Sequence, residues 1–302
     1  MNRVSTTQLQ GTLMTGMQRS QSGLALSQFQ LSTGKKAPYY SQLGADGVRA
    51  LSANSLLSRQ ESYSDATKQT SSTLALYDTH MASIESTMTD LRKQLMNALG
   101  LDNGNDIAAN TSTAFDDFKA TINAQVGGNS LFAGSQTGTK PLAANDLSDT
   151  IGLDPADAFV NDTVRGTARV GEGLDLQYGV VASDFGGDFV KAFGTLANMG
   201  PIDGKLTDTQ KDALRDAVSQ IDTGLDRLNA VNGENGRKLA YLDTLTDRAD
   251  GRAQLMQKVV GDTEDADLGQ VVTDLTMYQT TLQASYSVFS RLSSMTLANY
   301  LT

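Results

Sequence analysis

Leu268-Gly269-Gln270-Val271-Val272-Thr273-Asp274-Leu275-Thr276-Met277-Tyr278-Gln279-Thr280-Thr281-Leu282-Gln283-Ala284-Ser285-Tyr286-Ser287-Val288-Phe289 decides the fold, because it sets apolar residues on a seven-residue grid with almost no charge. Leu268, Leu275, Leu282 and Phe289 fall on one line of the grid; Val271, Tyr278 and Leu292 fall on the interleaved line, with Ser285 as its gap. That is the pattern of a coiled-coil seam. A lone solvated helix needs charge off its seam, yet Ser, Thr and Gln fill those positions and no charge occurs between Asp274 and Arg291. Such a helix expects neighbours on several sides. At ~1.5 Å per residue, the stretch from Asp265 to Asn299 would run roughly 50 Å and should stand beside other long helices.

The first thirty-four residues share this alphabet. Met17, Leu24 and Leu31 are seven apart, Leu13 precedes them by one turn, and Arg3 and Arg19 are the only charges before Lys35. The two chain ends are therefore expected to pair with each other or within an assembly. Polar, charge-poor helices with narrow seams are marginal alone, so disordered tails are the alternative reading of both ends in the free monomer. Candidate assembly residues are Leu13, Met17, Leu24, Leu31, Leu268, Val271, Leu275, Tyr278, Leu282, Phe289 and Leu292.

Between the ends, Gly34 and Pro38 should stop the first helix. From about Ala45 a second pattern starts, and Leu74, Tyr77, Met81, Ile84, Met88, Leu91 and Leu95 alternate steps of three and four. Leu99 to Gly104 closes that helix, and a shorter one carries Ile107, Phe115, Phe118 and Ile122 before Gly127-Gly128. Ser130 to about Gly187 reads as a small β-rich insertion, with Thr163-Val164-Arg165 and Leu174 to Tyr178 as β-prone runs. Phe189, Val190 and Phe193 suggest a short helix. Thr207-Asp208-Thr209-Gln210 has the form of a capping box. The helix it starts keeps its register through Asn232-Gly233-Glu234-Asn235-Gly236, which predicts one long helix with a weak point rather than two.

The expected fold is mainly α: an elongated antiparallel helical bundle or coiled coil built from both chain ends, with a small β-rich insertion. Its predicted divisions are residues 1–43 with 265–302 as a terminal coiled-coil core, 44–128 with 206–264 as a helical bundle, and 129–205 as the outer β-rich part.

The bulk numbers remove whole classes of function. A net charge of -10 argues against a nucleic-acid partner, whose phosphates would be repelled. The absence of cysteine excludes disulfides, thiolate metal sites and cysteine nucleophiles. No apolar run reaches the ~18 residues a membrane-spanning helix needs, and the N-terminus lacks the features of a cleavable secretory signal. His80 is the single histidine and sits beside Tyr77 and Met81, as a flank residue of a helix. Asp116-Asp117 and the run Asp262, Glu264, Asp265, Asp267 are the carboxylate clusters; the second lacks the glycine and distal Glu of a calcium loop and is expected to neutralise the positive start of the last helix. Gly34-Lys35-Lys36 lacks the rest of a phosphate loop. No catalytic, cofactor or metal site is expected, so the chain does not read as an enzyme.

Leu31-Ser32-Thr33-Gly34-Lys35-Lys36, together with Asp267-Leu268, Leu282-Gln283-Ala284-Ser285-Tyr286 and Leu292-Ser293-Ser294-Met295, resembles the terminal signatures of the bacterial flagellin superfamily. Within it, Gly128-Asn129-Ser130-Leu131-Phe132-Ala133-Gly134 and Asn299-Tyr300-Leu301 are more similar to the hook-filament junction subgroup, the third hook-associated type. The resemblance implies a structural protein of the bacterial flagellum that joins hook to filament as a homo-oligomeric ring or tube. It would be secreted by type III export without a cleavable signal, with a flagellar export chaperone on its C-terminal helix, and would contact a neighbouring hook-associated protein and flagellin. Filament-forming flagellin is the alternative, and a secreted coiled-coil translocator or adhesin a remote one.

Overall fold

The computed structural model describes residues 2–202 and 204–298, with the side chains of residues 2–7, 9 and 292–298 outside the description. Six α-helices carry the described chain: α1 (Asn2–Thr33), α2 (Ala45–Leu101), α3 (Ile107–Ile122), α4 (Gly187–Ala197), α5 (Asp208–Glu264) and α6 (Leu268–Ala298). Two short antiparallel ladders join them, β1 (Gln125–Val126) with β2 (Asn129–Ser130), and β3 (Gly166–Gly171) with β4 (Leu174–Tyr178). The fold is mainly α, with a helical bundle and a small strand insertion. The chain divides into two compact units. One runs up to Gln60 and resumes from Gly251; the other is Glu61–Asp250.

In the second unit the seven predicted seam residues, Leu74 through Leu95, are all buried. Burying them contributes on the order of 10 to 20 kcal/mol before entropy. They share a core with Leu214, Ala217, Ile221, Leu228 and Leu242 of α5. The antiparallel register of α2 and α5 follows from three bridges: Ser64 meets Asp250, Asn235 meets Leu74 and Arg92 meets Asp222. Phe115 and Phe118 of α3 pack on Phe189 and Phe193 of α4 with ring centroids 5.3 to 5.8 Å apart. Edge-on aromatic pairs of this kind add to plain area burial.

Local signals explain the element ends. The Thr207 backbone N–H donates to Gln210 Oε1 at 3.0 Å, and the Gln210 N–H donates to Thr207 Oγ1 at 3.3 Å, closing the capping box. Helix α5 runs unbroken through Gly233 and Gly236. The strand prediction at Thr163-Val164-Arg165 needs correction, since β3 starts at Gly166. Asp162 is the reason: its Oδ1 accepts from the Val164 N–H at 3.0 Å and from the Ser135 N–H at 2.9 Å, an Asx turn that takes this segment out of the ladder. His80 stands edge-on to Phe132 at the flank of α2, 6.3 Å between centroids.

Candidate assembly surface

Helices α1 and α6 pack against each other within the first unit. The innermost residues of α1 are small ones, Ser20 and Ser27, which are buried. Gly23 lies between them, and a Cβ added there would come within 2.5 Å of the Tyr278 ring. Small residues let the helices approach closely here. Gln21 Nε2 donates to Tyr286 Oη at 2.9 Å on the same face. From α6, Val271 and Leu282 are buried.

The expected assembly residues therefore divide. Val271 and Leu282 are buried; Leu13, Met17, Leu24, Leu275 and Tyr278 are half-buried; Leu31, Leu268 and Phe289 are exposed. The Leu292 side chain and the Asn299-Tyr300-Leu301 ending lie outside the described residues. Further apolar side chains stand exposed on the same two helices: Met14 and Leu26 on α1, and Val272, Met277, Tyr286 and Val288 on α6.

Serine and glycine in the α1 seam escaped sequence reasoning, which followed the leucines. The signal was present as Gly16, Ser20, Gly23 and Ser27 at helical spacing, but small polar residues read equally well as an outward face.

At the end of the pair, the Leu31-Ser32-Thr33-Gly34-Lys35-Lys36 motif turns the chain. Ser32 and Thr33 hydroxyls donate to the Phe29 carbonyl oxygen at 2.9 and 2.8 Å. Gly34 takes φ 71°, a left-handed C-cap that a side chain would strain, and its N–H donates to the Gln30 carbonyl. Lys35 then forms an antiparallel bridge with Asp265, between α5 and α6. The Lys36 ammonium donates to the carbonyl oxygens of Asp262 at 2.5 Å and Thr263 at 3.1 Å, satisfying orphan acceptors at the end of α5.

The acidic run has split roles. Asp267 caps α6, its Oδ1 accepting from the Gly269 and Gln270 N–H groups at 2.9 and 3.2 Å, which is the dipole role expected of the whole run. Glu264 and Asp265 instead take the Lys35 ammonium, at 3.3 and 2.7 Å. Asp116 pairs with Lys119. Among the described residues no group of three His, Asp or Glu side chains is placed to hold a metal ion, and no helix is long and apolar enough to cross a membrane.

Residues 4–137 match the model of the bacterial flagellin N-terminal helical region. Solved structures share the fold, among them these two. The structure of a putative flagellar hook-associated protein from Vibrio parahaemolyticus aligns with TM-score 0.59 at 18% identity, covering 72% of this chain and 96% of that one. FlgL from Bacillus cereus aligns with TM-score 0.51 at 10% identity, covering 65% and 98%. No curated protein sequence matches significantly. Residues 4–137 of the chain are thus similar to the flagellin N-terminal helical region, and the chain shares its fold with these two structures.

Proposed function

We propose that this chain is a structural protein of the bacterial flagellum that joins the hook to the filament, assembling through α1 and α6 as a ring or tube of identical subunits. The observation that supports this reading is the row of apolar side chains left uncovered on both helices after they have paired, from Met14, Leu26 and Leu31 to Leu268, Met277, Val288 and Phe289. Covering such surface in a multi-subunit contact is the only large gain left to two helices so poor in charge. In this reading residues 1–43 and 265–302 supply the contacts between subunits. The neighbours are another hook-associated protein on one side and flagellin on the other. The subunit is exported with a chaperone covering α6 beforehand, and acts outside the cell.

Filament-forming flagellin is the second reading, favoured by the match of residues 4–137 to the flagellin N-terminal region. Purified protein offered to isolated hooks and to filament seeds separates the two. A limited ring at the hook tip supports the junction role. Indefinite polymerisation supports flagellin, and no incorporation at either end refutes both.

A further inference from the structure

Glu264 is a carboxylate only 9% exposed, at the last turn of α5. Its Oε1 accepts from Tyr40 Oη at 3.1 Å and from Asn54 Nδ2 at 2.7 Å, and its Oε2 faces the Lys35 ammonium at 3.3 Å. Its backbone carbonyl accepts the Lys36 N–H at 2.7 Å, and the adjoining Ala266 N–H donates to the Gly34 carbonyl at 2.7 Å. Three segments thus converge on one residue: the turn after α1, the first half of α2, and the α5–α6 corner. Asn54 Nδ2 also lies 3.3 Å from Tyr40 Oη, so the donors are themselves linked.

We propose that Glu264 is the positioning residue of the terminal pair, holding the end of α1 against the start of α6 so that the two helices close as one unit. The proposal takes its purpose from the assembly reading, but it concerns the free chain. Lys35 and Asp265 stand 230 residues apart in sequence. Closing so long a loop costs entropy that a narrow helix pair cannot easily meet. A clamp at one end pays that cost before the helices meet and raises the effective concentration of each for the other.

Asp265 is the obvious rival for this role, being nearer to Lys35. Its side chain is 56% exposed against 11% for Glu264, so water and salt screen it while Glu264 acts in a drier, fully bonded setting. Asp265 also receives no donor from Tyr40 or Asn54 among the interactions of the described residues. Removal of Glu264 would take the carboxylate acceptor from both Tyr40 and Asn54, whereas removal of Asp265 touches only Lys35 and leaves it its second partner.

Hydrogen exchange on the full-length monomer tests this. Glu264→Leu is expected to speed exchange in residues 10–33 and 268–291 together, by about tenfold. Glu264→Gln, which keeps an acceptor for Tyr40 and Asn54, should fall between Leu and wild type, and Asp265→Asn should stay near wild type. Residues 74–95 should be unchanged throughout. Unaltered exchange in either terminal helix of Glu264→Leu overturns the proposal. So does equal loosening by Asp265→Asn, or loosening of residues 74–95 alongside, which would mark a general loss of stability. None of these readouts depends on whether the protein caps a hook or forms a filament.

Discussion

Asn235 donates its side-chain amide to the Leu74 carbonyl oxygen at 2.9 Å, joining two buried seam positions 161 residues apart. Its own Oδ1, with no access to solvent, accepts no hydrogen bond from the described residues. A buried amide carbonyl without a donor costs roughly 1 to 3 kcal/mol. Asparagine at a seam position is otherwise a device for fixing register. Asn235→Leu is therefore expected to leave the thermal stability of the Glu61–Asp250 unit unchanged or raise it by about 1 kcal/mol. Calorimetry on the variant checks this; a loss above about 2 kcal/mol would show that the bond to Leu74 outweighs the orphaned oxygen.

Glycines in α1 should respond in opposite ways to alanine. Mid-helix Gly→Ala normally stabilises by about 1 kcal/mol. Nothing lies within 4 Å of a Cβ at Gly16, so Gly16→Ala should slow amide exchange in α1 of the monomer. At Gly23 the new methyl meets the Tyr278 ring at 2.5 Å, which must swing aside. The packing loss of about 1 kcal/mol or more cancels the propensity gain, and Gly23→Ala should slow nothing. Equal protection of both variants would mean that α1 and α6 do not pack this way in solution.

How much of this was legible beforehand depends on which force dominates locally. The seam from Leu74 to Leu95 was readable because large apolar side chains at helical spacing have one physical reading, burial. The capping box at Thr207 was readable because both partners lie within one turn. The strand at Thr163 was misplaced because propensity says nothing of Asp162, whose carboxylate binds Ser135 from 27 residues away. Ser20, Gly23 and Ser27 were hidden because close backbone approach leaves no hydrophobic signature. Glu264 looked like one more acid near a helix start; only tertiary contact sets it apart from Asp267.

The two units should fail at opposite ends of the pH scale. In the Glu61–Asp250 unit, the Ser64 hydroxyl at 2.7 Å, aided by Lys68, holds the Asp250 carboxyl below its ordinary value. The Lys238 ammonium does the same for Glu234. Groups whose folded pKa is depressed give stability above their unfolded pKa and lose it as pH falls through the folded value. Acid should therefore lower the melting temperature of this unit, and Asp250→Asn should flatten that dependence below about pH 4. Near the termini, hydrogen bonding to Asp265, and then to Glu264, raises the Lys35 ammonium above 10.5 against the opposing effect of burial. Its contribution is complete below 10.5 and disappears as pH climbs through the raised value. Lys35→Met should remove part of the alkaline loosening of α1 and α6 seen by exchange, leaving acid behaviour untouched.

Leu282 and Phe289 sit seven residues apart on α6 yet should fail differently when charged. Leu282 is 7% exposed within the α1–α6 pair, and Phe289 is 41% exposed. Aspartate at 282 places a charge in the intramolecular contact, so it should speed exchange in both helices of the monomer and also block incorporation. Aspartate at 289 meets water in the free chain, so monomer exchange should stay within a factor of about two. It meets a neighbour only in the assembly, and there an unpaired charge in an apolar contact costs several kcal/mol. Phe289→Asp should thus keep the paired fold while losing incorporation at the hook tip, read by labelling isolated hooks with the tagged variant. Normal incorporation of Phe289→Asp would show that this part of the α6 surface faces no neighbour, and the other uncovered residues, Met14, Leu26 and Leu31 of α1 with Leu268, Val272 and Met277 of α6, would then have to carry the contact.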